Sequence, residues 1–457
     1  MSKELSRRAS LTLFYILLAG CVVSSLMQTS MTTVLPAIMV SLHITASSGQ
    51  WLTSIFTLAM GIMIPITPFL IKRFSTRKLI ISALSIFSVG LLASGIATNL
   101  PVMLIGRVLQ ALSSGIFVSL TQVAVMQIFP ADKRGLYMGI YGLAVGGVPI
   151  FAPTLAGYIS DSFGYRVIFF GVFGLSVLTL IWTLFSARNI SEGVKAELDS
   201  KSVLLSVVGF GGLTLALDNL NTASTRSIAI ITALVAVFAL ILFARRQLRI
   251  KNPLLNFKPF ANRSFVIALI GSMLLYAVMM AGSLILPIYL QTLRGYSATT
   301  SGLITLPGSV IMMAFSPIAG RLFDRFGIKP VLVVGSIALL LSSLSLGFVN
   351  NTTSIWYILI AYMFRMLAVA MMMMPLVSWG LSVIDQSLTT HGSALISSFR
   401  TFSGAFCMVG MTDVLTHFAG GQATIKGVDL AFIGLSVLAA GLVAIALVQL
   451  FSKKRVK

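Results

Sequence analysis

Fourteen stretches of about twenty mostly apolar residues recur along this chain, and they constrain its fold more than any other feature. A helix of that length crosses the roughly 30 Å hydrocarbon core of a bilayer. Inside that core each backbone N–H and C=O must find its partner within the segment, so such runs fold as helices. The stretches lie at about 11–36, 51–71, 79–97, 101–128, 137–159, 166–187, 202–219, 227–244, 264–290, 300–320, 330–349, 354–380, 391–418 and 429–451. Hydrophobic residues make up 57% of the 457, charged residues only 9%, and mean hydropathy is +1.00. Those values lie outside the range of soluble globules. The chain reads as an all-α integral membrane protein with a multi-pass topology of 14 transmembrane helices.

A formal charge of +21 raises nucleic acid as a partner, but the positions of the basic residues argue against it. With the N-terminus placed inside, Arg166, Arg226, Arg294 and Lys426 fall in outer segments and Arg107, Arg365 and Arg400 within spans, leaving 25 of the 32 Lys and Arg residues on the cytoplasmic side. That bias reports orientation, with both termini cytoplasmic. The Arg7-Arg8 start resembles an export signal, yet the apolar run continues past Leu26 without a convincing cleavage site and is read as an uncleaved first helix. Cys21 and Cys407 fall inside spans, and His43, His391 and His417 are dispersed, so neither a disulfide framework nor a metal site is indicated. No nucleotide-binding loop and no clustered catalytic group is present, so no enzyme and no cofactor is expected.

The most specific stretch is the charged hairpin Gly320-Arg-Leu-Phe-Asp-Arg-Phe-Gly-Ile-Lys-Pro330. Its two glycines permit a tight reversal and close helix approach, while Arg321, Asp324, Arg325 and Lys329 hold the turn in water. Pro68 to Lys78 answers it 252 residues earlier, and Arg107 in the fourth span is answered by Arg365 in the twelfth, 258 residues later. Such offsets fit two six-helix halves separated by an inserted pair. The expected division is a cytoplasmic N-terminus at 1–10, a first bundle at 11–187, linkers at 188–263 carrying the pair at about 202–219 and 227–244, a second bundle at 264–452, and a basic tail at 453–457. Repeat-built transporters hold their substrate near the midplane between repeats.

The hairpin resembles the signature loop of the major facilitator superfamily, G-x-x-x-D-R-x-G-R/K-R/K. Further stretches resemble one branch, the fourteen-span drug:proton antiporters. Arg107-Val-Leu-Gln110-Ala-Leu-Ser-Ser-Gly115 is similar to its helix 4 motif R-x-x-Q-G-x-G-x-G, and Ala152-Pro153-Thr154-Leu155-Ala156-Gly157 to its helix 5 motif G-P-x-x-G-G. Leu286-Pro287-Ile288-Tyr289-Leu290-Gln291, with Gly295-Tyr296-Ser297-Ala298 and Leu306-Pro307-Gly308, resembles its helix 9 to 10 pattern. The resemblance implies a major facilitator fold, alternating access, and proton-driven multidrug efflux of lipophilic compounds by a monomer among the lipids of a bacterial cell membrane. There are departures. Met27 stands where the family commonly carries a helix 1 Asp, Thr32 where it carries Asn, Lys72 at the Asp of the first signature loop and Ser75 at a Gly; Ala152 and Ala156 replace two helix 5 glycines.

Charged groups at membrane depth are costly, which makes them functional candidates. The family resemblance implicates Arg107 in proton coupling; its structural alternative is an Arg bonded to helix 1 carbonyls or to Gln28. Asp413 is the candidate carboxylate that alternates between protonated and ionised forms, against the alternative of a solvated helix terminus. Arg365 and Arg400 either face substrate or pair with Asp413 or backbone carbonyls. Gln28, Thr29, Thr32 and Gln110 are candidate substrate contacts, although such side chains also join helices. Gly320, Asp324, Arg325 and Gly327, with Pro153 and Gly157, are the expected switch elements, Asp324 acting on Arg325 or on a helix N-terminus. The missing helix 1 acid beside three intramembrane arginines keeps a second reading open, an exporter of anionic or neutral amphiphiles.

Overall fold

A computed structural model describes residues 6–194, 199–219, 226–250, 252–416 and 424–451. Residues 1–5 of the expected N-terminal segment, the basic tail, the Asn221–Thr225 turn and His417 lie outside the described residues. The helices run α1 (Arg7–Ser41), α2 (Ala46–Arg73), α3 (Thr76–Ile96), α4 (Leu100–Ile128), α5 (Arg134–Phe163), α6 (Arg166–Ser186), α7 (Ser200–Ser206), α8 (Gly212–Asn219) and α9 (Arg226–Gln247). After the linker come α10 (Arg263–Ile288), α11 (Ala298–Phe326), α12 (Ile328–Leu346), α13 (Ile355–Ser382), α14 (Thr389–Thr416) and α15 (Ile425–Phe451). A π-turn at Val207–Gly211 joins α7 to α8 as one span, so 14 helices among the described residues are long and apolar enough to cross a membrane.

Local chemistry sets the helix starts. The side chains of Ser6, Thr45, Asn99, Asn262 and Ser297 accept first-turn N–H groups that would otherwise be orphaned. Pro36, expected to end the first helix, instead lies inside α1, which continues to Ser41. A proline removes one N–H, and membrane helices tolerate this where neighbouring groups re-satisfy the backbone. Within the signature hairpin, Gly320 to Phe326 are the last turns of α11. The reversal is made at Gly327, whose φ of 75° suits a residue without Cβ.

Helices α1 to α6 pack as one bundle and α10 to α15 as a second. Two seams join them, α5 against α11 with α13, and α2 with α4 against α14; the inserted pair lies on α2 and α14. Large apolar side chains such as Leu178, Leu234, Phe238, Phe364 and Val437 are exposed, as helices facing hydrocarbon require. Alternating direction places the α2–α3, α4–α5, α11–α12 and α13–α14 connections at the end where α1 begins. This basic end carries Lys72, Arg73, Lys133, Arg134, Arg325 and Lys329.

Candidate functional site

The two halves meet most closely at the basic end. The first turn of α5 presents backbone N–H groups with no helical partner, at the positive end of the helix dipole. The Asp324 carboxylate of α11 fills them, accepting from Gly135 N at 2.7 Å through Oδ1 and from Leu136 N at 2.8 Å through Oδ2. Glycine makes this approach possible: a Cβ on Gly135 would strike the Gly320 carbonyl, and one on Gly320 the Gly135 carbonyl. Farther along, Ser316 Oγ donates to Gly139 O at 3.0 Å, and Gly146 and Gly147 receive Met312 and Met313. α5 is therefore one continuous helix whose glycine face seats α11 from the basic end to its midpoint. Of the two expected partners for Asp324, the structure shows the helix N-terminus; Arg325 is exposed and lies 5.1 Å over the Phe326 ring. A cavity of about 560 Å³, lined by Arg134, Arg325, Lys329, Ser378 and Trp379 among others, borders the contact.

The first signature loop makes a different set of contacts. Lys72 Nζ donates to Asn252 Oδ1 at 3.2 Å, Val194 N to Lys72 O at 2.8 Å, and Arg77 N to Asn189 Oδ1 at 3.0 Å. An ammonium cannot accept from a helix N-terminus. This copy is tied to the connecting segments instead of latching one half to the other.

Two of the intramembrane arginines are fastened inside their own halves. Arg107 is 1% exposed; its Nε donates to Leu52 O of α2 at 3.0 Å, its Nη1 to Gln110 Oε1 at 2.9 Å, and its guanidinium stacks 4.4 Å from the Phe56 ring centre. Gln110 in turn donates to Gly90 O and Ser94 Oγ of α3. Arg107 thus reaches α2 and Gln110, where helix 1 carbonyls or Gln28 were the alternative expected. Arg365, fully buried, donates to Ser343 Oγ of α12 at 2.8 Å and to Val278 O of α10 at 2.5 Å, under the Phe432 ring. Gly282 leaves the room for its guanidinium, since a Cβ there would clash with it. The repeat read from the sequence is a repeat of role, an arginine on the fourth helix of each half knitting its neighbours together.

Arg400 is different. On α14 it is 7% exposed and lies 4.9 Å over the Tyr276 ring of α10, and neither Nε nor Nη1 has a hydrogen-bond partner. One helical turn apart, Ser393, Ser397 and Arg400 share the face that looks toward the first half. Ser393 Oγ donates to Gln122 Oε1 of α4 at 2.7 Å, and Arg400 is within electrostatic reach of the Tyr141 hydroxyl of α5. Ser119 Oγ, Ser397 Oγ and Ser398 Oγ are buried without hydrogen-bond partners, while the Tyr141 hydroxyl lies against the Gln122 side chain. None of these except Arg400 was singled out in the sequence, although the 393, 397, 400 spacing of polar residues in an apolar helix was a visible signal.

The remaining candidates are dispersed. Thr29 Oγ1 donates to Ser25 O at 2.8 Å and Thr32 Oγ1 to Thr29 O at 2.9 Å, so both hydroxyls bond their own helix; Gln28 is half-buried and Thr32 exposed. Met27 is fully buried in an apolar cluster with Phe87, Leu91 and Met103, a setting in which a carboxylate would be stranded. Pro153 and Gly157 lie in the other half of α5, away from the basic end, and Gly157 faces Thr33 of α1. Asp413 is exposed three residues before the end of α14 at Thr416, as the alternative of a solvated helix terminus requires. It is 13 residues beyond Arg400, about 20 Å along the helix, which rules out the pairing between them.

Comparison with known proteins gives a consistent picture. A family model described as the Major Facilitator Superfamily matches residues 17–408. The chain is 36% identical to the uncharacterized MFS-type transporter YcnB of Bacillus subtilis strain 168, over 93% of this chain and 92% of that protein. It is 30% identical to the lincomycin resistance protein LmrB of the same organism, over 97% of this chain and 95% of LmrB. Among solved structures, the proton:xylose symporter XylE bound to 6-bromo-6-deoxy-D-glucose superposes with a TM-score of 0.64 at 15% identity, covering 96% of this chain and 97% of XylE.

Proposed function

The chain is a membrane transporter of the major facilitator superfamily, not an enzyme, and we propose that it exports lipophilic drugs or similar toxic compounds by alternating access in exchange for protons. One observation carries the reading: Asp324 of the second half caps the α5 N-terminus of the first at the basic end. A single carboxylate on two backbone donors is a contact that can break and re-form as the halves rock. Similarity to a lincomycin resistance protein along nearly the whole chain supports a toxic-compound substrate. On the positive-inside bias we read the basic end and both termini as cytoplasmic, the arrangement closed at that end as the outward-facing one, and the working unit as a monomer.

In this mechanism Asp413, near the outer end of α14, keeps its assignment as the coupling carboxylate. Arg107 holds α2, α3 and α4 in fixed register while α5 and α11 move. Gln28, Thr29 and Thr32 on α1 and Arg400 on α14 contact the solute between the halves, whereas Gln110 and Arg365 act by positioning helices. The test is transport by the purified chain in liposomes under an imposed pH gradient, comparing wild type with Asp413→Asn and Arg107→Ala. Full proton-coupled transport by Asp413→Asn refutes the coupling role.

A further inference from the structure

We propose that the seam between the halves binds its solute through Arg400, and that the solute carries an anionic oxygen on an apolar body: a carboxylate, sulfonate or phenolate. This names the substrate class of the exporter proposed above and rests on that reading.

A guanidinium has five N–H donors and no acceptor. Arg107 donates through Nε and Nη1 and Arg365 through both terminal nitrogens to protein oxygens, with only Nε of Arg365 unfilled. Arg400, though 93% buried by its 7% exposure, leaves Nε and Nη1 unfilled, and Tyr276 engages the face of its guanidinium rather than the donor edge. Buried donors of a charged group that go unfilled are costly for a fold to keep. On the same stretch of α14 the hydroxyls of Ser397 and Ser398 are also unpartnered. The set is rich in donors, and what completes it is an acceptor, best a charged one that can take two parallel N–H bonds from the guanidinium.

The distribution of acids excludes an internal answer. Among the described residues, Asp132, Glu192, Asp199 and Asp385 lie in connections between the long helices, and Asp161, Asp218, Asp324, Asp413 and Asp429 lie within four residues of a helix end. None stands at the depth of Arg400, the twelfth residue of the 28 in α14. Met27 of α1 lies in an apolar cluster and supplies no acid either. A cationic solute would meet an uncompensated like charge in a region shielded from water, which is a discriminating penalty. An anion removes it.

The test uses the full-length purified chain and two dyes that share a xanthene body but differ in charge, fluorescein (anionic) and rhodamine 123 (cationic), with binding read by fluorescence anisotropy. Wild type is expected to bind fluorescein at least about tenfold more tightly than rhodamine 123; Arg400→Gln is expected to weaken fluorescein by about tenfold or more, and Arg400→Lys to fall between them. Equal or tighter binding of rhodamine 123, or fluorescein affinity left within about threefold by Arg400→Gln, overturns the proposal; this is the result if water alone fills the donors. The wild-type preference needs no variant, so a misfolded substitution does not remove the test. Transport in liposomes separates the two readings. Anion-selective binding without movement of either dye refutes export and leaves the anion site standing, while movement of both dyes without charge preference refutes the anion site and leaves export standing.

Discussion

Replacing Asp324 with Asn tests the latch most sharply. The carboxylate accepts two backbone N–H bonds at 2.7 and 2.8 Å from the first turn of α5. A hydrogen bond to a charged group contributes about 1.5–3 kcal/mol, and the helix terminus adds about 0.3–1 kcal/mol for a carboxylate that is not fully buried. Asn keeps one acceptor oxygen but turns an NH₂ toward the second N–H and carries no charge. The net loss is about 2–3 kcal/mol of stability for the form closed at the basic end, a shift of about 30- to 150-fold in the ratio of closed to open forms. Spin labels at the exposed positions Lys78 and Phe326, one on each half at this end, report that ratio as a distance distribution. Asp324→Asn is expected to move the population toward the longer distance, and Lys72→Gln, which removes the charge that donates to Asn252, to leave it in place. An unchanged distribution in Asp324→Asn, or the same shift in both variants, refutes the latch and the asymmetry between the two signature loops.

Further outcomes follow from the same contacts. Gly320→Ala places a Cβ against the Gly135 carbonyl, an overpacking cost of about 1–3 kcal/mol, and thiol reactivity of a cysteine introduced at Ala131 should rise as the seam parts. Arg365→Ala leaves Val278 O and Ser343 Oγ without their donor and opens a void beside Gly282; unfolding in detergent should shift by about 2–4 kcal/mol, so lost transport without lost stability contradicts its structural role. Asp199 is held down to about 2, from an ordinary 3.8, chiefly by its hydrogen bond to Arg246. With the folded value depressed, the stabilisation is fully present above about pH 4 and is lost as pH falls toward 2. The stability difference between wild type and Asp199→Asn should therefore shrink over that window, and a difference that grows on acidification contradicts the pairing.

Much of the fold was legible because its signals are local. Fourteen apolar runs and the basic residues at their ends need no tertiary information, and the pairing of Arg107 with Arg365 is visible as an offset. The latch was legible on one side only. Asp324 stands at the family spacing, but Gly135 follows an ordinary Arg134 and gains meaning only when α5 meets α11. Pro36 misled because its helix-breaking tendency is overridden where the surrounding membrane offers no water to an unwound backbone. The central arginines could not be told apart in sequence: all three are lone charges in apolar helices, and what separates Arg400 from Arg107 and Arg365 is whether another helix offers it an oxygen.

Locking the basic end shut tests the central claim most directly. Ala131 and Arg325 line the same cavity on opposite halves, so cysteines at these positions, in a chain with Cys21 and Cys407 replaced, can be bridged by a bifunctional thiol reagent. In liposomes carrying an imposed pH gradient, the unbridged protein is expected to move fluorescein against its concentration gradient, and the bridged protein to stop while still binding it from the outer side. Transport by the bridged protein at the unbridged rate would contradict alternating access through this latch.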